Sequence, residues 1–469
     1  MIRAHYLRYQ KPDLGYREAA VLIVVLWICA GLVALVLVFG QIIVLQYRSA
    51  DSTVAGIQAE QAAESAMRYV CYVLENLEEP GTMPDVDNDE YKAEAVPVGD
   101  ATYWLLGRHP DAQPDTMPVF SLVDECSKLN LNTATVEMLA NLPRMTPECA
   151  AAIVDWRDAD SQVSENGAEA ETYTLRKPAY RCKNGPFETV LELKMVYGAK
   201  DEILFGEDTN LNGILDPNEN DGEASPPSDN QDGELDPGIV EYLTVYSRSS
   251  QPVETADGGS VVDVNTKDQE DLRSLLRETL GETRANDILS QLGAGAEFRS
   301  ILEFYIRSKM TPDECDTLAD SLTVSGADSG SQSGAGSDME TEIVPINVNT
   351  ACEEVLSCIP GIGSSCASAL VAYRLGHTKN LHSVAWVAQV LDEDAAIQAG
   401  PYLTTHTYQF SADVAAVGQY GRGCRRIYYV LDISDGQAKA VYRRDRTDLG
   451  WALGKDIRSQ LSEWRASTR

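Results

Sequence analysis

Positive charge, histidine and catalytic signatures are all scarce in this chain. Its 469 residues carry 38 Lys plus Arg against 72 Asp plus Glu, a formal net charge of −34. That balance excludes phosphate-backbone binding as a role of the whole molecule and suits cations instead. Of only five histidines, His5 lies near the N-terminus, His377 and His382 have no recognisable ligand spacing, and His109 and His406 stand alone. G-x-S-x-G, H-E-x-x-H and phosphate-loop signatures are missing, so the chain is read as a non-enzyme. Between Gln41 and Glu78 there is no proline and, apart from Gly56, no glycine, so nothing there interrupts a helix.

What the chain does have is an uncharged run from Ala19 to Gly40, 22 residues long. At about 1.5 Å per helical residue it can cross a hydrocarbon core roughly 30 Å thick. A cleaved signal has an apolar core of only about 7 to 15 residues, so a retained anchor is expected. Arg3, His5, Arg8, Lys11 and Arg17 outweigh Asp13 and Glu18 before the run, whereas Asp51, Glu60 and Glu64 follow it. The positive-inside rule then leaves the N-terminus cytoplasmic and everything from about Tyr47 outside. Ten cysteines could pair in such a compartment, yet spacing fixes no connectivity, and Cys29 lies within the span.

The anchor is expected to continue as one helix. Ala55, Ala59, Ala62, Ala66, Val70, Val73 and Leu77 recur at three- and four-residue intervals, a stripe to lie on a soluble domain, and EEPGTMP (Glu78 to Pro84) ends it. A second stripe, Ile43, Tyr47, Ala50, Val54 and Ile57, faces away and is free for a partner. Ala30, Gly31 and Ala34 would let helices approach closely in lipid. Strand-like segments follow at Ala101 to Gly107 and Val119 to Val123, and again in the C-terminal part. There Arg422, Arg425, Arg426, Arg443, Arg444 and Arg446 form the one basic region, read as a solvated sheet face or a partner-contact surface.

Between these parts the chain repeats itself. KLNLNTATVEMLANLPRMTPECAAAIVDWR (Lys128 to Arg157) and PINVNTACEEVLSCIPGIGSSCASALVAYR (Pro345 to Arg374) share their opening, a proline at one offset, and Cys149 matching Cys366. A fainter copy is VVDVNTKDQEDLRSLL, Val261 to Leu276. In the stronger copies Asn132 or Asn349 with Thr133 or Thr350 is expected to cap a helix, and Glu353 stands where a capping box needs it. Pro360, Gly361, Ile362 and Gly363 resemble the helix-hairpin-helix module of DNA-binding proteins, whose glycines let backbone N–H groups approach a phosphate. The competing reading, in which the glycines only make the turn, is preferred: Arg374, His377 and Lys379 alone supply local positive charge, and the first copy has Arg144-Met145-Thr146 instead. Asp158 to Glu171 and Val324 to Asp338 are polar loops or linkers.

The sharpest chemical motif is DTNLNGILDPNE, Asp208 to Glu219, which satisfies the calcium-loop pattern throughout. Asp208, Asn210, Asn212 and Asp216 offer oxygens, Gly213 permits the turn, Ile214 offers its carbonyl, and Glu219 closes the set with two oxygens. Calcium is the expected ion. The flanks are not those of a paired EF-hand, since Gly206 precedes the loop and Pro217 interrupts it. A weaker oxygen cluster follows at Asp229, Asp232, Glu234 and Asp236.

Taken in series, VLIVVLW (Val21 to Trp27), DECSKLNLNT (Asp124 to Thr133), the LP…AAAIVDWRD segment (Leu142 to Asp158), the acidic loop and NVNTA…IPGIG resemble the minor pseudopilin K family of bacterial type II secretion systems, the general secretion pathway protein K family. The resemblance implies a non-catalytic, calcium-binding inner-membrane subunit at the tip of a periplasmic pseudopilus. Its implied partners are two other minor pseudopilins, the major pseudopilin and prepilin peptidase, with no nucleic acid. The implied fold is α+β: a pilin-type helix on a small antiparallel sheet, with a large inserted helical domain of helix-hairpin-helix-like repeats. The corresponding segments are a cleaved leader 1–19, helix and first strands 20–128, insert 129–400, and C-terminal strands 401–469. Alignment on that family puts the cut between Ala19 and Ala20, where glycine usually precedes it, and Val24 where most pilins carry glutamate. An unpaired carboxylate is costly in lipid, so its absence fits a tip subunit with no neighbour to pair with. The alternative, a membrane-anchored helix-hairpin-helix protein of DNA uptake, accounts for PGIG but not for the acidic loop, the charge or the C-terminal strands.

Overall fold

The computed structural model describes residues 14–84, 91–108, 118–248, 261–266, 269–293, 296–324, 343–377 and 381–467. Most of the leader, Lys379, His109 and nearly all of the Val324–Asp338 linker lie outside the described residues.

Leu14–Glu75 is one α-helix of 62 residues, as its lack of breakers predicts. Its span Val21–Glu75 is, among the described residues, the one helix long and apolar enough to cross a membrane. Above the apolar run the helix lies on a sheet: Ala55, Ala59, Ala62, Ala66 and Val70 are buried, and Leu74 is buried where Val73 and Leu77 are only half-buried. Alanine suits this face because the contact is backbone-close. A Cβ added at Gly418 or Gly423 would meet Ala55 backbone atoms at 2.1 or 2.4 Å.

The sheet is antiparallel and draws strands from both ends of the chain: β1 (Val96–Val98), β2 (Ala101–Leu106), β3 (Val123–Asp124), β4 (Gln409–Gly418), β5 (Arg422–Asp432) and β6 (Lys439–Asp445). Their order is β1-β2-β4-β5-β6, with β3 also pairing β4. Leu105, Phe410, Ala412, Val414, Ile427 and Tyr429 fill the core beneath the long helix. On the opposite face Trp104, Leu106, Ala415 and Val417 meet Leu453 and Leu461. Leu461 belongs to a terminal helix, Gly454–Ser467, which corrects the expectation of strands throughout 401–469. Ile457, Leu461 and Trp464 stand at i, i+4 and i+7, a helical spacing that the sequence does carry.

The insert consists of three units, each closed in one way. Leu129–Asn130 pairs in parallel with Leu243–Thr244, Val262–Asp263 with Leu322–Thr323, and Ile346–Asn347 with Leu403–Thr404. In each unit the Asn before the opening Thr clamps a distant segment: Asn132 and the Phe187 backbone exchange hydrogen bonds at 3.1 and 2.7 Å, Asn265 and Phe298 do so at 2.9 Å each, and Asn349 Nδ2 donates to the Leu381 carbonyl at 2.8 Å. The expected cap assignments therefore need correction. Thr135 caps Val136–Ala140, and Cys352 precedes Glu353–Ser357 with no side-chain cap bond. Asn132 and Asn349 are committed across the unit, and Glu353 instead accepts from Ser368. Asp158 to Glu171 is loop up to the short helix Ala170–Thr174, but it is tied down: Ala168 is buried and Ser164 N donates to the buried Asp155 carboxylate at 3.2 Å. A buried acceptor holds this loop where apolar area does not. The first and last units share one core around Leu139, Ile153, Trp156, Leu356, Leu370 and Trp386, while the middle unit has its own around Leu276, Ile288, Phe304 and Leu318.

Candidate metal centre

The Asp208–Glu219 loop folds back on itself through its own oxygens. Asp208 accepts from the Asn212 and Gly213 amides at 3.0 and 2.8 Å, Asn210 accepts from Asn212 N at 2.9 Å, and Asn212 accepts from Ile214 N at 2.9 Å. These turns need left-handed backbone at Leu211 (φ 56°) and Gly213 (φ 69°). Asn210 and Asn212 amide groups donate to Asp216 Oδ2 at 2.8 and 3.0 Å, and the short 3₁₀ turn Pro217–Glu219 brings Glu219 Oε2 within 3.0 Å of Asp216 N. Asp208, Asn210, Asn212, Asp216 and Glu219 are thus gathered into one loop.

One oxygen of that group has no partner. Glu219 is 1% exposed and its Oε1 is buried without a hydrogen bond. Burial, with Asp208 and Asp216 nearby and despite the Asp216 amide, pushes its carboxyl up to about 8. Burial also raises Asp208, against the pull of Arg108. An all-oxygen donor set, with an orphaned carboxylate oxygen and carboxyls costly to ionise, is what a hard cation relieves. The residues present therefore fit calcium chemically.

The weaker cluster is arranged differently. Asp236 is ion-paired to Arg144, Asp229 accepts from the Asp221 and Gly222 amides at 2.8 and 2.9 Å, and Asp232 and Glu234 are exposed. These four oxygen donors do not form a single pocket. Glu207, which sequence reasoning passed over, connects the two loops by accepting from Asn230 N at 3.3 Å and Asp236 N at 3.1 Å.

Arginines bind the oxygen loop to the sheet, and for Arg426 this corrects the reading of the basic region as a solvated or partner-facing surface, while Arg443 is exposed. Arg426 is fully buried; it donates to the Asn210 and Leu211 carbonyls at 2.5 and 2.6 Å and to both Asp413 oxygens at 2.9 and 2.6 Å. Arg108 adds bonds to the Leu211 and Asn212 carbonyls at 2.8 and 3.2 Å and pairs with Glu241 at 2.7 Å. Burial opposes ionisation of Asp413, yet Arg426 and Arg446 hold it below the ordinary carboxylate range. Arg422 and Arg443 pair with Asp51 and Glu64 of the long helix. No sequence signal set Arg426 apart, because the same strand also carries Arg422, Arg425 and Asp432.

The glycine hairpin is closed at Gly361 but open at Gly363, where an added Cβ would meet nothing within 4 Å. Gly361 has φ +89°, and a Cβ there would lie 2.9 Å from the Ala395 carbonyl oxygen of the helix Glu393–Ala399. Arg374 is 3% exposed and donates to the Val348 carbonyl at 2.8 Å. Its counterpart Arg157 donates to the Leu131 and Ala134 carbonyls. The repeat's arginine pins the unit's own opening turn and is not presented to a phosphate.

Comparisons with known proteins match segments of the insert. A family model described as type II secretion system protein K matches residues 125–205, and a helix-hairpin-helix motif model matches residues 341–394. A type II secretion system protein K from Klebsiella pneumoniae is 38% identical over 66 residues, 14% of this chain and 20% of that protein, so the chain matches about a fifth of the length of that relative. A crystal structure of the GspK-GspI-GspJ complex from the enterotoxigenic Escherichia coli type 2 secretion system contains a chain with 11% identity and a TM-score of 0.41, covering 85% of this chain and 99% of that one. The resemblance to the type II secretion system protein K family, drawn from the serial motifs, is borne out by the family model over residues 125–205, the start of the insert.

Proposed function

We propose that the chain is a minor pseudopilin K of a type II secretion system, a non-catalytic subunit at the tip of a periplasmic pseudopilus that helps to initiate its assembly. The observation that carries this reading is the division of the long helix. Its alanine face is covered by its own sheet, whereas Tyr47, Val54 and Ile57 above the span are 73%, 50% and 56% exposed. A large apolar stripe left open on a helix marks a binding face. In this reading two other minor pseudopilins pack there, the major pseudopilin lies below, and Ala30, Gly31 and Ala34 permit close packing in lipid. The N-terminus is cytoplasmic, the bulk is periplasmic, and prepilin peptidase cuts between Ala19 and Ala20.

Calcium belongs to the same reading. Asp208, Asn210, Asn212, Asp216 and Glu219 would hold it with the Ile214 carbonyl. Bound calcium supplies the positive charge that offsets the buried Glu219 and Asp208 carboxylates. Arg426 and Arg108 hold the loop backbone against the sheet, so ordering the loop also orders the junction of insert and pilin-like domain.

The test is co-purification with two small pseudopilins after Ile57→Asp. Loss of both partners, with unchanged melting of the soluble part, is expected. Undiminished co-purification would mean that the tip complex is not assembled through this helix.

A further inference from the structure

Three residues that look unrelated in sequence meet where the middle unit, the last unit and the sheet join. Asp320 follows the helix Pro312–Leu318, His382 follows the helix Gly363–Gly376, and His406 lies just before β4. His382 Nε2 is 3.3 Å from Asp320 Oδ2 and His406 Nε2 is 3.4 Å from Asp320 Oδ1. One ligand atom from each of the three residues lies within 4.8 Å of the others. Around a tetrahedral zinc ion with bonds of about 2.0–2.1 Å, neighbouring ligand atoms stand roughly 3.3–3.4 Å apart. Each imidazole Nε2 stands at that spacing from a different oxygen of the Asp320 carboxylate, which lies between the two rings.

Thr405 fixes the chemistry of one ring. Its hydroxyl donates to the His382 carbonyl at 2.8 Å, which uses its only proton. At 3.2 Å from His406 Nδ1 it can therefore only accept. Nδ1 then carries the ring proton, and in neutral His406 the lone pair of Nε2 faces the Asp320 carboxylate. Lone pair against carboxylate is repulsive unless a second proton or a metal ion stands between them. An Nδ1–H bond to an outer oxygen is also the arrangement that orients metal-binding histidines. The Asp320, His382 and His406 side chains are 43%, 33% and 21% exposed, which leaves a path for the ion and room for water as fourth ligand.

We propose that Asp320, His382 and His406 bind one zinc-class divalent ion that staples the middle unit and the last unit to the start of the sheet. Two imidazoles and one carboxylate favour zinc or a neighbouring first-row ion over calcium, so this site differs in kind from the all-oxygen loop.

Cobalt(II) is the probe, added to the tag-free, metal-stripped full chain in detergent with calcium in excess. A tetrahedral visible absorption that saturates at one equivalent and is displaced by zinc is expected. His382→Gln and His406→Gln should each abolish it, and Thr405→Val should weaken cobalt binding by about tenfold. His406 packs beside Gly81 and Tyr408, so circular dichroism without metal is the folding control, and the more exposed His382→Gln remains informative if His406→Gln unfolds. No tetrahedral band in the wild type, or a band that survives His382→Gln, would overturn the proposal.

Discussion

The first and last units of the insert start from the same opening turn and hairpin but diverge in what they carry. Both pin that turn with an arginine, Arg157 or Arg374. Both also need left-handed backbone just after the hairpin proline: Gly361 has φ 89° in the last unit and Arg144 has φ 61° in the first. The hairpin therefore demands a backbone conformation, which glycine meets without strain and arginine meets at a cost partly offset by its ion pair with Asp236. The comparison shows that Gly361 is a solution to turn geometry, whereas at the position of Gly363 (φ 65°) the first unit has Thr146 in extended backbone (φ −104°). The first unit's distinctive chemistry comes from the long segment between its hairpin and its closing strand, where the oxygen loop lies.

The largest effect expected from separating the two units is at Arg426, which serves the first unit alone. Arg426→Met leaves Asp413 buried beside Arg446 only and strips two loop carbonyls of their donor. Losing one partner of a buried pair costs about 3–5 kcal/mol, so urea denaturation should show a drop of that size. Arg374→Met in the last unit removes the donor to the Val348 carbonyl, and should cost about 1–3 kcal/mol. Equal losses would mean that the loop–sheet link has no special weight.

Next comes the oxygen loop and its pH dependence. Glu219 has a folded pKa raised to about 8 from 4.5, so between those values the metal-free folded state binds more protons than the unfolded one, and stability falls as pH rises through that window. Calcium requires the carboxylate, so the stabilisation it adds should grow over the same interval, reaching about 2.7 kcal/mol at a hundredfold excess over Kd. Thermal melting with calcium or chelator at pH 6 and pH 8 measures this, and Glu219→Ala should flatten both trends. Identical melting with and without calcium at pH 8 would remove the site.

The smallest effects sharpen the hairpin comparison. Gly361→Val meets both a positive φ and the Ala395 carbonyl, and should cost about 1–3 kcal/mol. Arg144→Gly relieves the same conformation while losing an exposed ion pair worth about 0–1 kcal/mol, so its melting temperature should hardly move. A strongly destabilised Arg144→Gly would show that the arginine, not the backbone, sets the turn.

Much of this molecule is legible in its sequence because the signals are local. The unbroken Gln41–Glu78 segment dictates a continuous helix, the alanine period names the face it buries, and the spacing of Asp208, Asn210, Asn212 and Gly213 encodes a loop that closes through its own amides. The repeated opening likewise announces three similar units, because each Asp or Asn accepts from the amide two residues on. Tertiary structure alone decided the rest. Asn132 and Asn349 look like helix caps until the segments they clamp, 55 and 32 residues away, are in place. Arg426 looks like surface charge until the oxygen loop covers it. His382 and His406 look solitary until the middle unit, the last unit and the start of the sheet converge and set Asp320 between them. Periodicity and hydrogen bonds between near neighbours are written into consecutive residues, whereas a buried charge or a shared ligand depends on which distant segments the fold makes adjacent.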